Sequence, residues 1–266
     1  SVSLFNEEKN RQYGGSAFYS KKWLDNWTTK FVLSHSDFTR IVNDQTQTTN
    51  ASTSVVYKKD KSKTENSASE NSLRIENLLY FHNGHQLEFG GGFYNNSAKI
   101  DYYTTINDTP APDNINHLSN NRFYAFADDN LPIGNRFTLK TGARINVSTN
   151  KAKLYAEPRI NANYKLSKSM KLSASWGRFH QFISKIASVD RDQNYTYLWS
   201  VSNKDVPVVN ATHWVGEFNY TKNSLNINID GYYKLTHNIT ERVFESRAQE
   251  QNTATNGYFP YFGDAK

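Results

Sequence analysis

Residues 154–178 read LYAEPRINANYKLSKSMKLSASWGR, and apolar and polar side chains alternate along this stretch. Every second position from Leu154 to Leu166 is apolar or aromatic, whereas most of the positions between them carry charges or amides. The alternation stops at residues 166–169 and restarts at Met170. Because the side chains of a β-strand point alternately to its two faces, a period of two predicts two paired strands joined by a tight turn.

The composition of the 266-residue chain narrows the class of protein. Mean hydropathy is −0.76, and no apolar run approaches the roughly 18 residues that a membrane helix needs. A membrane β-barrel stays compatible with these values, because only alternate residues of each strand face lipid. The chain has no cysteine, which argues against a disulfide scaffold and against thiolate metal sites. Its net charge is +6, but the basic residues are spread among acids, which argues against a nucleic-acid partner.

Tight turns and long polar segments alternate along the chain. Five turns, flanked by alternating residues, lie at residues 24–26, 83–85, 132–135, 166–169 and 221–224. The polar segments are 41–72, 104–121, 183–211 and 240 onward, with one brief link at 148–152. This arrangement predicts ten strands, with partial strands near Ser3–Phe5 and Tyr258–Phe262. Short turns at one end and long loops at the other are typical of outer-membrane barrels.

Aromatic residues gather near the short turns. Trp23 and Trp27 flank the first turn, and Tyr164 and Tyr220 come just before the fourth and fifth. Amphipathic rings are enriched where a bilayer meets water, because one edge is apolar and the other forms hydrogen bonds. The sequence therefore predicts that these four residues form part of a girdle at one membrane interface.

Two hairpins resemble those in the barrel of TonB-dependent outer-membrane receptors. They are YAEPRINANYKLSKSMKLSASWGRFHQ at Tyr155–Gln181 and HWVGEFNYTKNSLNINIDGYYK at His213–Lys234. The resemblance covers residues 120–266 and rests on motifs of the barrel scaffold. It implies an all-β fold, an antiparallel transmembrane barrel of the kind that has about 22 strands. Since about 10–12 strands are expected here and nothing matches a plug domain or TonB box, residues 1–266 are expected to be one domain, a barrel fragment.

The resemblance also implies a function and partners. Such a receptor takes up a scarce nutrient, such as a siderophore, cobalamin or glycan, across the bacterial outer membrane. The expected partners are membrane lipid and lipopolysaccharide, the plug domain and remainder of the barrel, the TonB complex through that plug, and the ligand. No catalytic activity, cofactor or metal is expected.

The polar halves of the alternating strands are expected to face the lumen of such a barrel. The residues assigned to the lumen are Lys140, Arg144, Glu157, Arg159, Glu217 and Asp230. Burying so much charge in a narrow ten-stranded barrel would cost several kcal/mol for each unpaired ion. A wide barrel with a plug removes this cost, so some of Arg144, Glu157, Arg159 and Glu217 are expected to bond the plug.

Other candidate sites are weaker. His82 and His85 flank a turn but have no third ligand, whereas metal sites need three or four. Asp190, Asp192 and Asn194 imitate the start of a calcium loop but lack its glycine and final glutamate. The run Val55–Lys63 could contact lipopolysaccharide phosphates, and Gly90–Gly92 are expected to mark a bend or bulge. Asp101, His180 and Asp190 show no spacing that would form a catalytic dyad or triad.

Two alternatives to the receptor assignment stay open on the sequence alone. One is a soluble β-sandwich or barrel that binds carbohydrate through exposed Tyr and Trp side chains. The other is a complete small outer-membrane barrel with enzyme activity. Partition into detergent micelles separates the soluble alternative, because only a membrane barrel has an apolar band around its outside.

Overall fold

The computed structural model describes residues 2–53, 55–107, 109–110, 114–149, 153–189, 195–248 and 254–265. These residues form one sheet of fourteen strands. No helix in this part of the chain is long and apolar enough to span a membrane. The strands are β1 Val2–Leu24, β2 Trp27–Thr49, β3 Val56–Tyr80, β4 Gln86–Ile106, β5 Thr109–Pro110, β6 Asn114–Ile133, β7 Phe137–Ser148, β8 Lys153–Lys165, β9 Met170–Gln181, β10 Ile183–Val189, β11 Tyr195–Val201, β12 Val209–Lys222, β13 Leu225–Ala248 and β14 Ala254–Ala265.

The sheet is an antiparallel meander in which most neighbours in sequence are also neighbours in space. Its order is β1-β2-β3-β4-β6-β7-β8-β9-β12-β13, with β14 on β13 and the short β5 on β4. Strands β10 and β11 form a hairpin that lies between β9 and β12 in the sequence but not in the sheet, where β9 and β12 pair directly. Strand β10 pairs with β13 in parallel. The predicted all-β fold of the barrel type is confirmed, with two strands added by this hairpin.

The five predicted turns are confirmed. Each joins two neighbouring antiparallel strands, and three of them contain a residue with positive φ. Gly84 has φ of 82°, Gly134 has 61° and Asn223 has 55°. Glycine and asparagine tolerate this left-handed conformation better than other residues, which is why these residue types identified the turns.

The prediction that residues 41–72 and 104–121 are loops is wrong. Strand β2 continues to Thr49 and β3 starts at Val56, so the first segment is a hairpin with a short tip. Strand β4 continues to Ile106 and β6 starts at Asn114. Polar residues occupy both faces of these extensions, so the alternation that identifies a strand is lost there, although the backbone pairing continues.

The two faces of the sheet differ sharply in polarity. One register row joins Leu33, Leu73, Phe93, Phe123, Val147 and Leu154 across six strands. The opposite face carries charged residues, amides and tyrosines. We call the first of these the apolar face and the second the polar face. The apolar face ends two residues from this row, toward the tips of the long β2–β3 and β4–β6 hairpins. There Asn95 forms hydrogen bonds with both Asn71 and Asn121.

The register drifts along the sheet. A row that starts at Trp27, the first residue of β2, passes through seven intermediate residues to Tyr233, which lies eight positions after Leu225, the start of β13. The drift is one residue per strand over eight steps. With a rise of about 3.3 Å and a strand spacing of about 4.8 Å, this corresponds to a strand tilt of about 35°, the value expected for barrels.

The prediction of a bulge at Gly90–Gly92 is wrong, whereas a bend there stays a prediction. The pairing of β4 with both neighbours runs through these residues without a register shift. A methyl carbon on Gly92 would lie 2.9 Å from Cε1 of Tyr124, and one on Gly90 would lie 3.1 Å from Cε1 of Phe126. These two glycines therefore leave room for aromatic rings on the polar face.

Candidate functional site

The hairpin of β10 and β11 crosses the polar face. On one side, Ala187–Val189 pair with Glu241–Val243 of β13. On the other side, β11 packs against β3, β4 and β6. In the sheet, β13 is six neighbours away from β4, a distance of about 29 Å if the sheet were flat. A hairpin two strands wide reaches both only if the sheet curves around it, so the polar face is concave.

Polar side chains of the sheet fix the backbone of β11. Asn66 accepts a hydrogen bond from the backbone N–H of Trp199 at 2.7 Å and donates one to its carbonyl oxygen at 3.0 Å. Asn120 donates to the carbonyl oxygen of Ser202 at 2.8 Å. Arg40 donates to the carbonyl oxygen of Tyr197 at 3.2 Å and to the hydroxyl of Thr196 at 2.9 Å. These contacts give the hairpin backbone the partners that a neighbouring strand would otherwise supply.

Apolar contacts complete the attachment. Val201, which is fully buried, clusters with Ala98 and Leu118 of the sheet. At the base of the hairpin, Phe182 clusters with Tyr155 and Val208. The hairpin thus covers a small apolar patch on an otherwise polar surface, which makes its docked position specific.

All six residues assigned to the lumen lie on this concave polar face, as the strand register places them. In the strand register, Lys140 is level with Asn161, Arg144 with Glu157, and Glu217 with Asp230. Four of the six have partners within the sheet. Arg144 donates a hydrogen bond from Nε to Oδ1 of Asn146 at 3.2 Å, and Asp230 accepts one from the side-chain amide of Asn228 at 2.7 Å. Arg159 forms an ion pair with Asp128, and Glu157 accepts a hydrogen bond from the backbone N–H of His180 at 2.9 Å.

An aromatic and arginine cluster on the same face was not predicted. The rings of Tyr94 and Tyr124 lie 5.4 Å apart. Arg144 stacks over Tyr124 at 3.8 Å, and Arg122 lies between Tyr94 at 4.5 Å and Phe182 at 4.2 Å. The only sequence signal was the alternation of Arg122, Tyr124 and Phe126 on one side of β6, which lies in a region where the alternation is poor.

The four aromatic residues expected at an interface lie near the short turns. Trp23 contacts Trp27, with ring centroids 6.4 Å apart, and donates a hydrogen bond to Thr29. Tyr164 and Tyr220 belong to the apolar face, where they are level with Phe137 and Ile227. The positions agree with an interfacial girdle, and the assignment itself stays a prediction.

The structure separates the weaker candidates. His85 faces Asp129 at 3.7 Å, and no three metal-ligating side chains converge among the described residues. Asp101 forms an ion pair with Lys99, whereas His180 lies 3.4 Å from Glu157, so these two are not brought together.

Two further candidates are the calcium-like motif and the basic run. Asp190, Asp192 and Asn194 lie outside the described residues. In the run Val55–Lys63, Lys58 pairs with Asp60, and Lys63 at its end pairs with Glu65 beyond it. Contact of this run with lipopolysaccharide stays a prediction.

The sequence as a whole matches one protein family. A profile of the family described as "TonB dependent receptor-like, beta-barrel" matches residues 3–265. The chain belongs to this family. No curated protein is similar enough in sequence to count as a relative. The resemblance seen in the two hairpins of the second half therefore extends over almost the whole chain, including the first 120 residues, where the sequence alone gave little indication.

Solved TonB-dependent receptors support the fold. The chain is similar to the RagAB peptide importer in its "closed-closed" state, with a TM-score of 0.57 and 11% identity over 89% of this chain and 31% of that one. It is also similar to the ferric enterobactin receptor PfeA from Pseudomonas aeruginosa, with a TM-score of 0.53 and 11% identity over 94% of this chain and 47% of that one. The chain thus spans between about a third and a half of these proteins, and at this identity the likeness concerns the fold alone.

Proposed function

We propose that the chain is part of an outer-membrane receptor that imports a scarce nutrient. The observation that carries this proposal is the combination of a continuous apolar face with a concave polar face that the β10–β11 hairpin crosses. In this arrangement the apolar face contacts lipid and the polar face lines the lumen. The hairpin then narrows the lumen at the end where the long strand extensions lie.

The predicted residues take their roles from this orientation. Lys140, Arg144, Glu157, Arg159, Glu217 and Asp230 would line the lumen, and Arg144 and Glu217 would be available to a plug domain. Trp23, Trp27, Tyr164 and Tyr220 would lie at the membrane interface near the short turns. The TonB complex would act through the plug.

The cargo class follows from the family only in outline. A siderophore, cobalamin or glycan is consistent with a wall rich in amides, tyrosines and charged groups. The similar structures include a peptide importer and a ferric enterobactin receptor by their names. A peptide therefore joins the set of cargoes to be tested.

Membrane residence is tested on the full-length protein purified from outer membranes. We expect it to require detergent, to give a β-rich circular dichroism spectrum and to change gel mobility on heating. A monodisperse monomer in the absence of detergent would overturn the proposal and favour the soluble carbohydrate-binding alternative.

Transport is tested separately in cells that express the intact receptor. We expect accumulation of a labelled cargo that stops when the proton gradient is collapsed. Accumulation that is insensitive to the gradient, or equal in cells without the receptor, would contradict energised import.

A further inference from the structure

Arg122 and Arg144 place two guanidinium groups close together on the polar face. Both lie near the ring of Tyr94, with guanidinium carbons 4.5 and 5.7 Å from its centroid. The two carbons are therefore no farther apart than the sum of these distances. Like charges at such separation repel each other, and the repulsion is stronger on a partly buried wall than in water.

Neither arginine forms an ion pair within the described part of the chain. Arg74, Arg159 and Arg40 each have a carboxylate partner. The carboxylates whose charges act on Arg122 are Glu70 and Glu157, and neither lies within ion-pair distance of it. Glu70 instead accepts a hydrogen bond from Asn96, and Glu157 accepts one from the backbone of His180. The Nε atom of Arg122 is buried and has no hydrogen-bond partner among the described residues. The cluster thus has donors in excess of acceptors.

The surroundings hold the guanidinium groups in defined positions. Arg122 is stacked between the ring of Tyr94 on the sheet and the ring of Phe182 at the base of the hairpin, while Arg144 rests on Tyr124. Gly92 allows Tyr124 to lie against the sheet. Arg144 donates its Nε–H to Oδ1 of Asn146 at 3.2 Å. Stacking engages the faces of a guanidinium and leaves its other N–H edges available, and these edges match the two oxygens of a carboxylate or phosphate.

We propose that Arg122 and Arg144 form a binding site for an anionic group, of the carboxylate or phosphate class, directly beneath the hairpin. The site would select an anionic cargo, and it rests on the proposed import function. The same chemistry could come from an acidic side chain of another domain of the full-length receptor, and the experiment separates the two sources.

The test uses the full-length receptor in detergent, titrated calorimetrically with citrate and, at equal ionic strength, with the neutral sugar trehalose. The variants are Arg122→Gln, Arg144→Gln and the double variant. Arg11→Gln, which removes one positive charge from the apolar-face side of β1, is the matched control. Arg122→Lys and Arg144→Lys keep the charge but remove the planar guanidinium that can bind two oxygens at once. They replace the glutamine variants in the titration if the glutamine variants do not fold.

Citrate binding that weakens at least tenfold in the double variant, and is unchanged in Arg11→Gln, would support a site for a free anion. Absence of citrate binding, with the double variant losing thermal stability relative to Arg11→Gln, would support an internal carboxylate as the partner. Equal citrate binding in all variants, or neither binding nor a stability change, would overturn the proposal. Heat-modifiable gel mobility, which reports the barrel, is expected in every variant and keeps this failure distinct from failure of the proposed function.

Discussion

At the scale of single residues, the attachment of the hairpin depends on a few buried amides. Asn66 is only 1% exposed, and its side chain contacts the backbone of Trp199 through both its oxygen and its nitrogen. A side-chain amide has the same donor and acceptor as a peptide group, so it replaces one residue of a neighbouring strand. Asparagine is frequent in this chain, and nothing in the sequence distinguishes Asn66 from half-buried amides such as Asn95.

The first prediction concerns Asn66→Ala. The substitution leaves the buried N–H and carbonyl of Trp199 unpaired, which costs about 1–3 kcal/mol. We expect amide exchange of residues 195–201, measured by mass spectrometry, to accelerate tenfold or more. Asn95→Ala is the control, because Asn95 bonds Asn121 on the opposite face. Equal exchange in both variants would show that the amide does not hold the hairpin.

The second prediction concerns pH and the pair of Arg40 with Glu8. The hydrogen bond from Arg40 lowers the pKa of Glu8 from its ordinary value near 4.5 to about 2. A lowered carboxylate pKa stabilises the folded form above the ordinary value, and this stabilisation is lost as pH falls toward the lowered one. Because Arg40 also bonds Thr196, its orientation affects the hairpin.

We therefore expect Glu8→Gln to loosen the hairpin at pH 5 and to have a much smaller effect near pH 2, where about half of the Glu8 carboxylate is protonated. The measurement is the rate of pepsin cleavage within residues 183–201, expressed as a ratio to wild type across this range. The ratio should fall toward one as pH falls. A ratio that is constant with pH, or that rises toward pH 2, would contradict the role of this ion pair.

At the scale of the elements, the sequence predicted the parts of each strand that separate two different environments. The turns and the strands around them were found because apolar and polar side chains alternate there. The extensions that follow Leu33 in β2 and precede Leu73 in β3 carry polar residues on both faces, so they have no periodic signal. The β10–β11 hairpin was also missed, because its partners lie on strands far away in sequence.

The third prediction concerns Gly92 in β4. A methyl carbon there would lie 2.2 Å from the carbonyl oxygen of Leu73 and 2.9 Å from Cε1 of Tyr124. Relief requires movement of a strand or of the ring on which Arg144 rests, and such overpacking costs about 1–3 kcal/mol. We expect Gly92→Ala to lower the temperature at which the compact form is lost on a gel. Gly15→Ala meets nothing within 4 Å and should match wild type.

At the scale of the whole molecule, the tilt of the strands and the length of their apolar stretches define one band of apolar surface, called the slab here. The apolar stretch covers Trp27–Leu33 on β2 and residues 154–164 on β8. At about 3.3 Å per residue and a tilt of about 35°, these lengths correspond to about 16 to 27 Å along the barrel axis, which brackets the band of about 25 Å found in outer-membrane barrels. The sequence predicted both faces of this slab from alternation alone, but not its slope, since register depends on pairing between strands.

The fourth prediction tests the orientation of that slab by depth. Arginine in place of Ile160, near the middle of the apolar face, should cost about 2–4 kcal/mol, because the charge would lie at the centre of the bilayer. Tyr164→Arg lies on the same face but one residue from the end of β8, where the long side chain reaches water and the cost falls to about 0–1 kcal/mol. Asn161→Arg, on the polar face, should cost little. Denaturant unfolding of the full-length receptor in lipid vesicles measures all three. Equal costs at 160 and 164 would indicate a protein core rather than lipid against this face, because a core penalises a charge without regard to its distance from the short turns.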